Sequence, residues 1–386
     1  MLAKLKRYDW FIVFLLILFV VISCFLVYSA TVDIAKYGPN FWKKIPVNAA
    51  IGFVVFFTVS LVDFRLLIKA APYGYITGVL LLAALFVWGT EREGAVGWFS
   101  LPVIGDFQPA ELMKVLLIIA IAAYAARKKG ERLEFMRDVL PIGLIAFLPF
   151  MLVLVQPDLG NAMIFLVILL GMYWISNVKY THVLIGTALV VMLVGGFVYT
   201  FKTYHEDIVK MAGTKYNHWV ARIDTFIDPD NVDPAVGGYQ YLRSKIAIGS
   251  GGLRGDGYLQ GNSVHNNFVP VAYTDGIFVV VAEEFGFIGS SALLLLYFIL
   301  IYRMILISIQ STNLAGSYMI VGIVSMYVFQ IFQNIGMFLG LMPLTGITLP
   351  FISYGGTSLL INMLSLGLVM SVKLHQEKES MFGAEV

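Results

Sequence analysis

Charged residues are scarce in this chain. Only 13% of its 386 residues are Asp, Glu, Lys or Arg, about half the share that is usual in soluble domains. The formal net charge is +2, which is too small to indicate a nucleic-acid partner. Cys24 is the single cysteine, so the chain can form no internal disulfide. These shortages exclude a soluble protein with a charged surface, a basic nucleic-acid-binding protein and a disulfide-stapled scaffold.

Apolar residues make up most of the chain. They account for 59% of the residues, and the mean hydropathy is +0.84. We predict an all-α polytopic membrane protein with about ten transmembrane helices, because the chain repeatedly contains apolar stretches long enough to cross a hydrocarbon core of about 30 Å, although the fifth and sixth stretches are short. The first stretch is too long for the apolar region of a signal peptide, so we interpret it as a helix. The stretches lie approximately at residues 10–30, 45–62, 71–89, 109–126, 139–155, 161–176, 183–201, 276–302, 314–338 and 350–372.

Basic residues predict the orientation of these helices. With a cytoplasmic N-terminus, the inner segments hold most of the Lys and Arg residues, and the short outer loops hold only Lys36, Lys43, Lys44 and Arg92. Membrane proteins typically concentrate their basic residues in inner loops. We therefore predict that both termini are cytoplasmic and that residues 1–386 form one membrane-embedded domain. Residues 202–274 are predicted to form a large extracytoplasmic loop before the eighth helix.

One stretch combines glycine, polar residues and acids next to an apolar helix. Residues 246–288 run from a glycine-rich segment through Asp275 into a helix that carries Glu283 and Glu284. A carboxylate at the mouth of a membrane helix is costly to keep, so Asp275 is our first candidate for chemistry. Capping the helix or pairing with a loop cation is the alternative role for Asp275, but Thr274 is an equally good cap.

The two glutamates of this stretch are interpreted differently. In a straight helix they would lie roughly 12 to 14 Å beyond Asp275 at about 1.5 Å per residue. That distance is too great for them to share its role. We therefore interpret Glu283 and Glu284 as structural acids in the interior of the bundle.

Three more places put polar groups where lipid would not tolerate them. Glu111 and Lys114 stand three residues apart after Pro109, so they share a helix face; their pair either fixes helix register or offers a cation to an anionic ligand. Asp158 follows Pro157 in QPDLG, where we expect Pro157 to start a helix and the acid to occupy its first turn. Pro350, Gly355 and Gly356 interrupt the last span, which indicates a polar cavity in the outer half of the bundle.

Further candidates could bind an anionic ligand. The cations are Lys43, Lys44, Lys114, Arg243 and Lys245, each of which is alternatively a surface charge. Trp98 and neighbouring aromatic residues either stack on sugars or belong to an interfacial belt. The acids show no recognisable spacing of metal ligands, so a bound divalent cation is left open and no ligand is assigned.

Several motifs in the chain occur together in one known family. The segments GAVGW ahead of QPAELMK, QPDLG, KIAIGSGGL, TDGIFVVVAEEFG and PFISYGGTS resemble the SEDS family of cell-wall polymerases, and the resemblance covers nearly the whole chain. Within that family, SKIAIGSGG, NIGM and PLTGITLPF are more similar to the elongation branch than to the division or sporulation branches.

The resemblance implies an activity and a site. It implies an inverting glycosyltransferase that polymerises lipid II into glycan strands on the outer face of the bacterial cytoplasmic membrane. Its expected partners are a class B penicillin-binding protein with transpeptidase activity and other proteins of the elongation complex. The essential acid of the family falls on Asp275 and the loop tryptophan on Trp98. The chain departs from the family pattern at Gly97, Ala272 and Tyr273, where an arginine, an acid and a histidine are usual.

Two other function classes compete with the polymerase. In a transporter or flippase for the lipid-linked precursor, the polar residues would line a passage and Asp275 would be a gate or a proton site. In a scaffold, the chain would act only by activating a partner. The polar features concentrate on the predicted outer side, whereas transporters usually bind near the midplane between symmetric broken helices. This distribution favours the polymerase over the flippase.

Overall fold

The computed structural model describes residues 7–34, 41–92, 95–101, 105–209, 220, 223, 224, 226 and 238–376. Helices dominate this part of the chain. They are α1 (Trp10–Ser29), α2 (Lys44–Leu61), α3 (Phe64–Trp88), α4 (Pro109–Ala125), α5 (Leu140–Val155), α6 (Leu159–Ile175), α7 (Tyr180–Thr203), α8 (Tyr239–Ser250), α9 (Ile277–Gln310), α10 (Leu314–Leu339) and α11 (Gly356–Leu374).

Eight helices of the described chain are long and apolar enough to cross a membrane. These are α1 to α5 and α9 to α11; the spans of α2, α4 and α5 extend a few residues beyond the helix, and that of α3 begins at Ala71. The predicted sixth and seventh spans coincide with α6, which is apolar but shorter, and with α7. The class of polytopic helical membrane protein is thereby confirmed. The count of ten crossings and the inside-outside orientation stay predictions.

The core of the bundle lies along α4, α10 and α11. Most of the side chains of α4 are buried, including Lys114 at 0% exposure. Small residues let helices approach closely, as membrane helix pairs require in the absence of a hydrophobic driving force. Gly367 of α11 faces the backbone of Phe56 on α2, and Gly52 of α2 faces Met363. By contrast, Phe201 is the single buried residue among those of α7 whose burial is described, and α7 lies at the periphery.

A small β-sheet stands between α3 and α4, where the sequence predicted only a loop. It contains β1 (Thr90–Arg92), β2 (Ala95–Leu101) and β3 (Gly105–Phe107), paired antiparallel in that order. The Thr90 hydroxyl donates to the carbonyl of Trp98 at 2.9 Å. The sheet leads directly into α4 through Gln108, so it fixes the start of the helix that carries Glu111 and Lys114.

Helix α9 is broken at Gly286. This glycine has φ 62° and ψ −157°, a conformation that is almost confined to glycine. The segment 250–257 runs alongside the break: the amide of Asp256 donates to the carbonyl of Glu283 at 2.9 Å, and the amide of Phe287 donates to the carbonyl of Gly252 at 2.9 Å. Part of the predicted loop 202–274 is therefore paired with the backbone of the helix that follows it.

Glu283 and Glu284 lie just before the break, in the helical part of α9 that precedes Gly286. Both are buried, as expected. Glu283 accepts from the amides of Ser263 at 2.7 Å and Val264 at 3.1 Å. Glu284 accepts a short hydrogen bond from Ser29, the last residue of α1. The two acids therefore join the predicted outer loop and the end of α1 to the helix break.

The break gives a sharp test of the fold. We expect Gly286→Ala to destabilise the protein by at least about 3 kcal/mol, because alanine is strained at this φ and its Cβ would meet the backbone of Arg254 and Gly255. Gly249→Ala is the matched control, since a Cβ at Gly249 meets no atom within 4 Å. Thermal unfolding in detergent measures both variants, and equal midpoints would contradict the described break.

An ion cluster closes the opposite, predicted cytoplasmic end of the bundle. Asp9, just before α1, accepts from Arg303 of α9 at 2.6 Å and from Lys373 of α11 at 2.7 Å. Burial disfavours the charged form of Asp9, but the hydrogen bonds and charges of Lys373 and Arg303 outweigh it and hold the pKa of Asp9 below its usual value. Three helices are thus tied together by one carboxylate.

The lowered pKa predicts how acid weakens this cluster. The stabilisation by Asp9 is complete above the unfolded-state pKa of about 3.9 and is lost as the pH falls through the lower folded-state value. We expect the thermal midpoint of the wild type to fall more steeply than that of Asp9→Asn below about pH 4. Unfolding curves of both proteins between about pH 3 and 7 test this, and parallel curves would contradict it.

Candidate active site

Asp275 lies in the turn that precedes α9. One of its carboxylate oxygens, Oδ1, accepts from the Thr274 hydroxyl at 3.0 Å and from the amide of Gly276 at 3.1 Å. The prediction that Thr274 caps the helix is wrong, because α9 begins at Ile277 with Gly276 as its N-cap and the Thr274 hydroxyl bonds within the turn. The carboxylate of Asp275 is thus oriented by its own neighbours and is half-buried.

A loop between α10 and α11 runs past this turn. Residues 343–350, called the bridging loop below, have the sequence PLTGITLP. A Cβ at Gly346 would stand 4.0 Å from Oδ2 of Asp275. Asn334 of α10 donates to the carbonyls of both Asp275, at 2.8 Å, and Ile347, at 2.7 Å. The Asp275 turn and the bridging loop are therefore held side by side.

The other side of the bridging loop meets the start of α6. Thr345 and Ile347 pack on Gly160, where a Cβ would stand 3.0 Å or less from either side chain. Thr345 also accepts from Gln333 of α10 at 2.9 Å. The sequence predicted Pro157 as the helix start and Asp158 in the first turn. Instead α6 begins at Leu159, and Asp158 is its N-cap.

A polar cluster of α4 and α6 lies beyond this contact. Lys114 bonds to Glu111 at 2.7 Å, with both side chains buried. Asp158 accepts from Gln108 at 3.1 Å and from the side chain of Asn161 at 2.8 Å. Burial raises the pKa of Asp158, although the hydrogen bonds of Asn161 and the charge of Lys114 oppose the rise. The predicted pair of Glu111 and Lys114 is confirmed, and Asp158 stands in its electrostatic field.

Aromatic rings flank Asp275 on the side of α2 and α11. Phe41 meets Tyr273 at 5.4 Å and Tyr354 at 4.5 Å between ring centroids, and the Tyr354 amide donates to the Tyr273 carbonyl at 3.0 Å. Lys44 lies 5.2 Å from the centroid of Phe41. This candidate cation therefore stands near the residue two positions before Asp275, and its side chain is exposed.

The remaining candidates lie on two other elements. Trp98 is half-buried on β2, and the neighbouring strand β3 accepts a short hydrogen bond from Thr357 at the carbonyl of Asp106. Arg243 of α8 stacks on Tyr239 at 5.3 Å and on Phe268 at 5.0 Å. Lys245 donates to the hydroxyl of Tyr241 at 3.3 Å. The two cations of α8 are thus engaged with aromatic residues.

A family model described as cell cycle protein, for FtsW, RodA and SpoVE, matches residues 7–378. The chain belongs to this family, which is the SEDS family. It is 34% identical to the peptidoglycan glycosyltransferase MrdB of Escherichia coli K12, with 92% of each protein covered. It is 32% identical to stage V sporulation protein E of Bacillus subtilis, with 95% of this chain and 98% of that protein covered.

Solved structures agree with this assignment. One similar chain comes from a structure of a peptidoglycan synthase complex that coordinates polymerization and crosslinking. Its TM-score is 0.77 and its identity 29%, with 96% of this SEDS chain and 99% of that chain covered. The rod shape determining protein RodA of Thermus thermophilus has a TM-score of 0.68 and 27% identity, with 96% and 98% covered. Fold and sequence therefore point to the same family.

In this SEDS chain the predicted candidates fall into groups. Glu111, Lys114 and Asp158 come together, and the bridging loop connects them to Asp275. Lys44 approaches from the aromatic side. Arg243 and Lys245 lie on α8, and their predicted role in binding stays a prediction. The described residues contain no group of three or more His, Cys, Asp or Glu side chains that could hold a metal ion.

Sequence reasoning missed the amides that organise the site. Gln108, Asn161, Gln333 and Asn334 were not singled out, yet each bonds to the Asp275 turn, the bridging loop or Asp158. A signal was available for the two residues of α10. Gln333 and Asn334 are amides within an apolar membrane helix, where buried polar side chains are rare and usually functional.

Proposed function

We propose that this chain is a peptidoglycan glycosyltransferase that polymerises lipid II during cell elongation. Membership of the SEDS family carries the proposal, together with relatives whose names describe them as peptidoglycan glycosyltransferases. The site supports it, because the bridging loop contacts both the Asp275 turn and the start of α6. There Asp158 lies near the buried pair of Glu111 and Lys114.

The proposed reaction joins two lipid-linked saccharides. An acceptor sugar hydroxyl loses its proton to the carboxylate of Asp275 as its oxygen attacks the anomeric carbon of the donor. The bond between that carbon and the pyrophosphate oxygen breaks with inversion, and the lipid pyrophosphate leaves with the electron pair. The leaving group is dianionic or more, so its departure requires a nearby cation or hydrogen-bond donors.

The candidate cations serve this reaction in different ways. Lys44 is exposed beside the aromatic residues next to Asp275, so its ammonium can move to meet a pyrophosphate. Lys114 is fully buried and already bonded to Glu111. We therefore propose that Lys114 shapes the electrostatic field of the site and does not contact the pyrophosphate directly. Trp98, Arg243 and Lys245 are proposed to contact the glycan or the lipid head group. No residue is proposed as a metal ligand. Adding a chelator to the liposome assay described below tests whether a divalent cation bridges the pyrophosphate.

Location and partners follow from the same proposal. The eight apolar helices make this a multi-pass membrane protein, and the active site is proposed on the outer face of the bacterial cytoplasmic membrane. A related chain belongs to a peptidoglycan synthase complex in which polymerization and crosslinking are coordinated. We therefore propose a class B penicillin-binding protein as the crosslinking partner, with other elongation proteins around the pair. Residues 202–274, of which 210–219 and 227–237 lie outside the described residues, are proposed to be the extracytoplasmic part of the single domain.

A flippase for lipid II is the second candidate. The break of α9 at Gly286 favours it, because discontinuous helices are a feature of transporters. Purified protein in liposomes that contain lipid II separates the two. We expect glycan strands to form, with a higher rate when the penicillin-binding partner is present. Translocation of lipid II without any glycan product would replace the polymerase by the flippase.

A further inference from the structure

Asn334 is a buried amide at the centre of the site. Its side chain is 0% exposed on α10. The two N–H groups of its Nδ2 atom reach the carbonyl of Asp275 at 2.8 Å and the carbonyl of Ile347 at 2.7 Å. An asparagine amide has two N–H donors, so both donors are used. One side chain thus joins the turn before α9 to the bridging loop.

The orientation of this amide is determined by its surroundings. Oxygen and nitrogen of an asparagine are assigned from the hydrogen-bond network. If the amide were flipped, its oxygen would face two carbonyl oxygens, which repel it. The orientation with Nδ2 toward both carbonyls is therefore the favourable one, and it leaves Oδ1 buried without a hydrogen-bond partner among the described residues.

The unpartnered Oδ1 atom weighs against a purely stabilising role. A buried polar group without a partner costs about 1–3 kcal/mol. A leucine of similar volume would avoid this cost, although it would leave the two carbonyls without their donor. What only the amide supplies is a fixed distance between the carbonyls of Asp275 and Ile347.

The fixed distance controls where the carboxylate of Asp275 lies. Asp275 precedes the first residue of α9, so helical hydrogen bonds do not hold its carbonyl. When Asn334 holds this carbonyl, the position of the carboxylate is set by the two side-chain torsions of Asp275. The same amide also holds the bridging loop, through the carbonyl of Ile347. The neighbouring residue, Gly346, has φ 69° and lies beside Oδ2 of Asp275.

We infer that Asn334 is a positioning residue for the transfer reaction, holding the Asp275 turn against the bridging loop so that the carboxylate meets the acceptor hydroxyl. The inference rests on the proposed function. Asn334 itself touches no reacting atom. A displacement of about 1 Å can lower a rate about 100-fold. Loss of the Asn334 amide is therefore expected to lower kcat, while the groups that bind the lipid pyrophosphate stay in place.

The variant Asn334→Asp keeps the shape of the side chain and removes both N–H donors. Assayed with lipid II in liposomes, it is expected to lower kcat about 10- to 100-fold and to change KM less than about 2-fold. Asn362→Asp is the matched control, because Asn362 is 1% exposed and its Nδ2 donates to Ser358 of its own helix at 3.3 Å. The control is expected to keep the kcat of the wild type.

A second variant decides the matter if Asn334→Asp does not fold. Serine at position 334 has one hydroxyl donor instead of two N–H donors, so Asn334→Ser is expected to show a smaller fall in kcat with KM unchanged. A rise in KM at constant kcat in the folded variants would overturn the inference. So would a kcat equal to that of the wild type.

A double variant separates this inference from the proposed function. If Asn334 acts through Asp275, the variant Asp275→Asn/Asn334→Asp is no slower than Asp275→Asn alone, because residues that act as a unit are not additive. An inactive Asp275→Asn beside a fully active Asn334→Asp would overturn the inference and leave the proposed function standing. Full activity of Asp275→Asn would instead contradict the proposed base.

Discussion

Asp275→Asn is expected to lower the rate of glycan polymerisation by about 10²- to 10⁴-fold, the usual contribution of a general base. The amide oxygen of the new asparagine can still accept from Thr274 and Gly276, as Oδ1 of Asp275 does at 3.0 and 3.1 Å. The turn should therefore keep its shape while the proton acceptor is lost. Initial rates of strand formation from lipid II, with the thermal midpoint measured in parallel, give the result.

An exposed aspartate of the predicted loop 202–274, which ends at the residue before Asp275, provides the control. Asp256 bonds to α9 through its backbone amide, and its side chain is exposed. Asp256→Asn removes one carboxylate from the loop and is expected to polymerise at the rate of the wild type. If Asp256→Asn and Asp275→Asn lost activity equally, loop charge rather than a base at position 275 would explain the loss.

Lys114→Met is expected to destabilise the protein by about 3–5 kcal/mol, because it leaves the buried carboxylate of Glu111 without its cation. Oε2 of Glu111 already lacks a hydrogen-bond partner among the described residues, so little else can compensate its charge. The double variant Glu111→Gln/Lys114→Met removes both charges and is expected to recover most of the loss. Thermal unfolding of the single and double variants in detergent measures both effects.

The same double variant distinguishes two roles of the pair. If the pair only fixes the packing of α4, the recovered protein should polymerise at the wild-type rate. We expect it to remain at least about 10-fold slower, because it lacks the electrostatic field of the pair around Asp158. Full activity would assign the pair to packing alone, and a double variant as unstable as Lys114→Met would contradict the buried ion pair.

Local sequence signals predicted the parts of the site that depend on neighbours in the chain. Pro109 begins α4, and Glu111 and Lys114 pair at a spacing of three residues, as helix geometry requires. The interruption after Pro350 is present too, since α11 begins at Gly356. Each of these features follows from a few adjacent residues.

Features that depend on distant backbone contacts were not predictable. The segment AEEFGFIG reads as continuous helix, because a single glycine is tolerated within one. The break at Gly286 is visible only when the segment 250–257 pairs with it through backbone groups, and such hydrogen bonds leave no pattern in the side chains. Strands β1 and β3 were not predictable for a different reason: each has only three residues, too few to show alternation.

The structure changes the relation between the predicted candidates. Asp275 and Asp158 stand more than a hundred residues apart, and no sequence pattern connects them. The bridging loop touches both neighbourhoods, with Gly346 beside Asp275 and Thr345 beside Gly160. A change in the bridging loop should therefore affect both Asp275 and the cluster of Glu111, Lys114 and Asp158.

The most direct test of the account is a structure of Asp275→Asn bound to lipid II. The variant should bind the substrate without turning it over. We predict that an acceptor sugar hydroxyl lies within about 2.6–3.2 Å of the side chain at position 275, the reach of a general base. A bound lipid II whose sugar hydroxyls all lie beyond that reach, with no intervening water, would contradict Asp275 as the base.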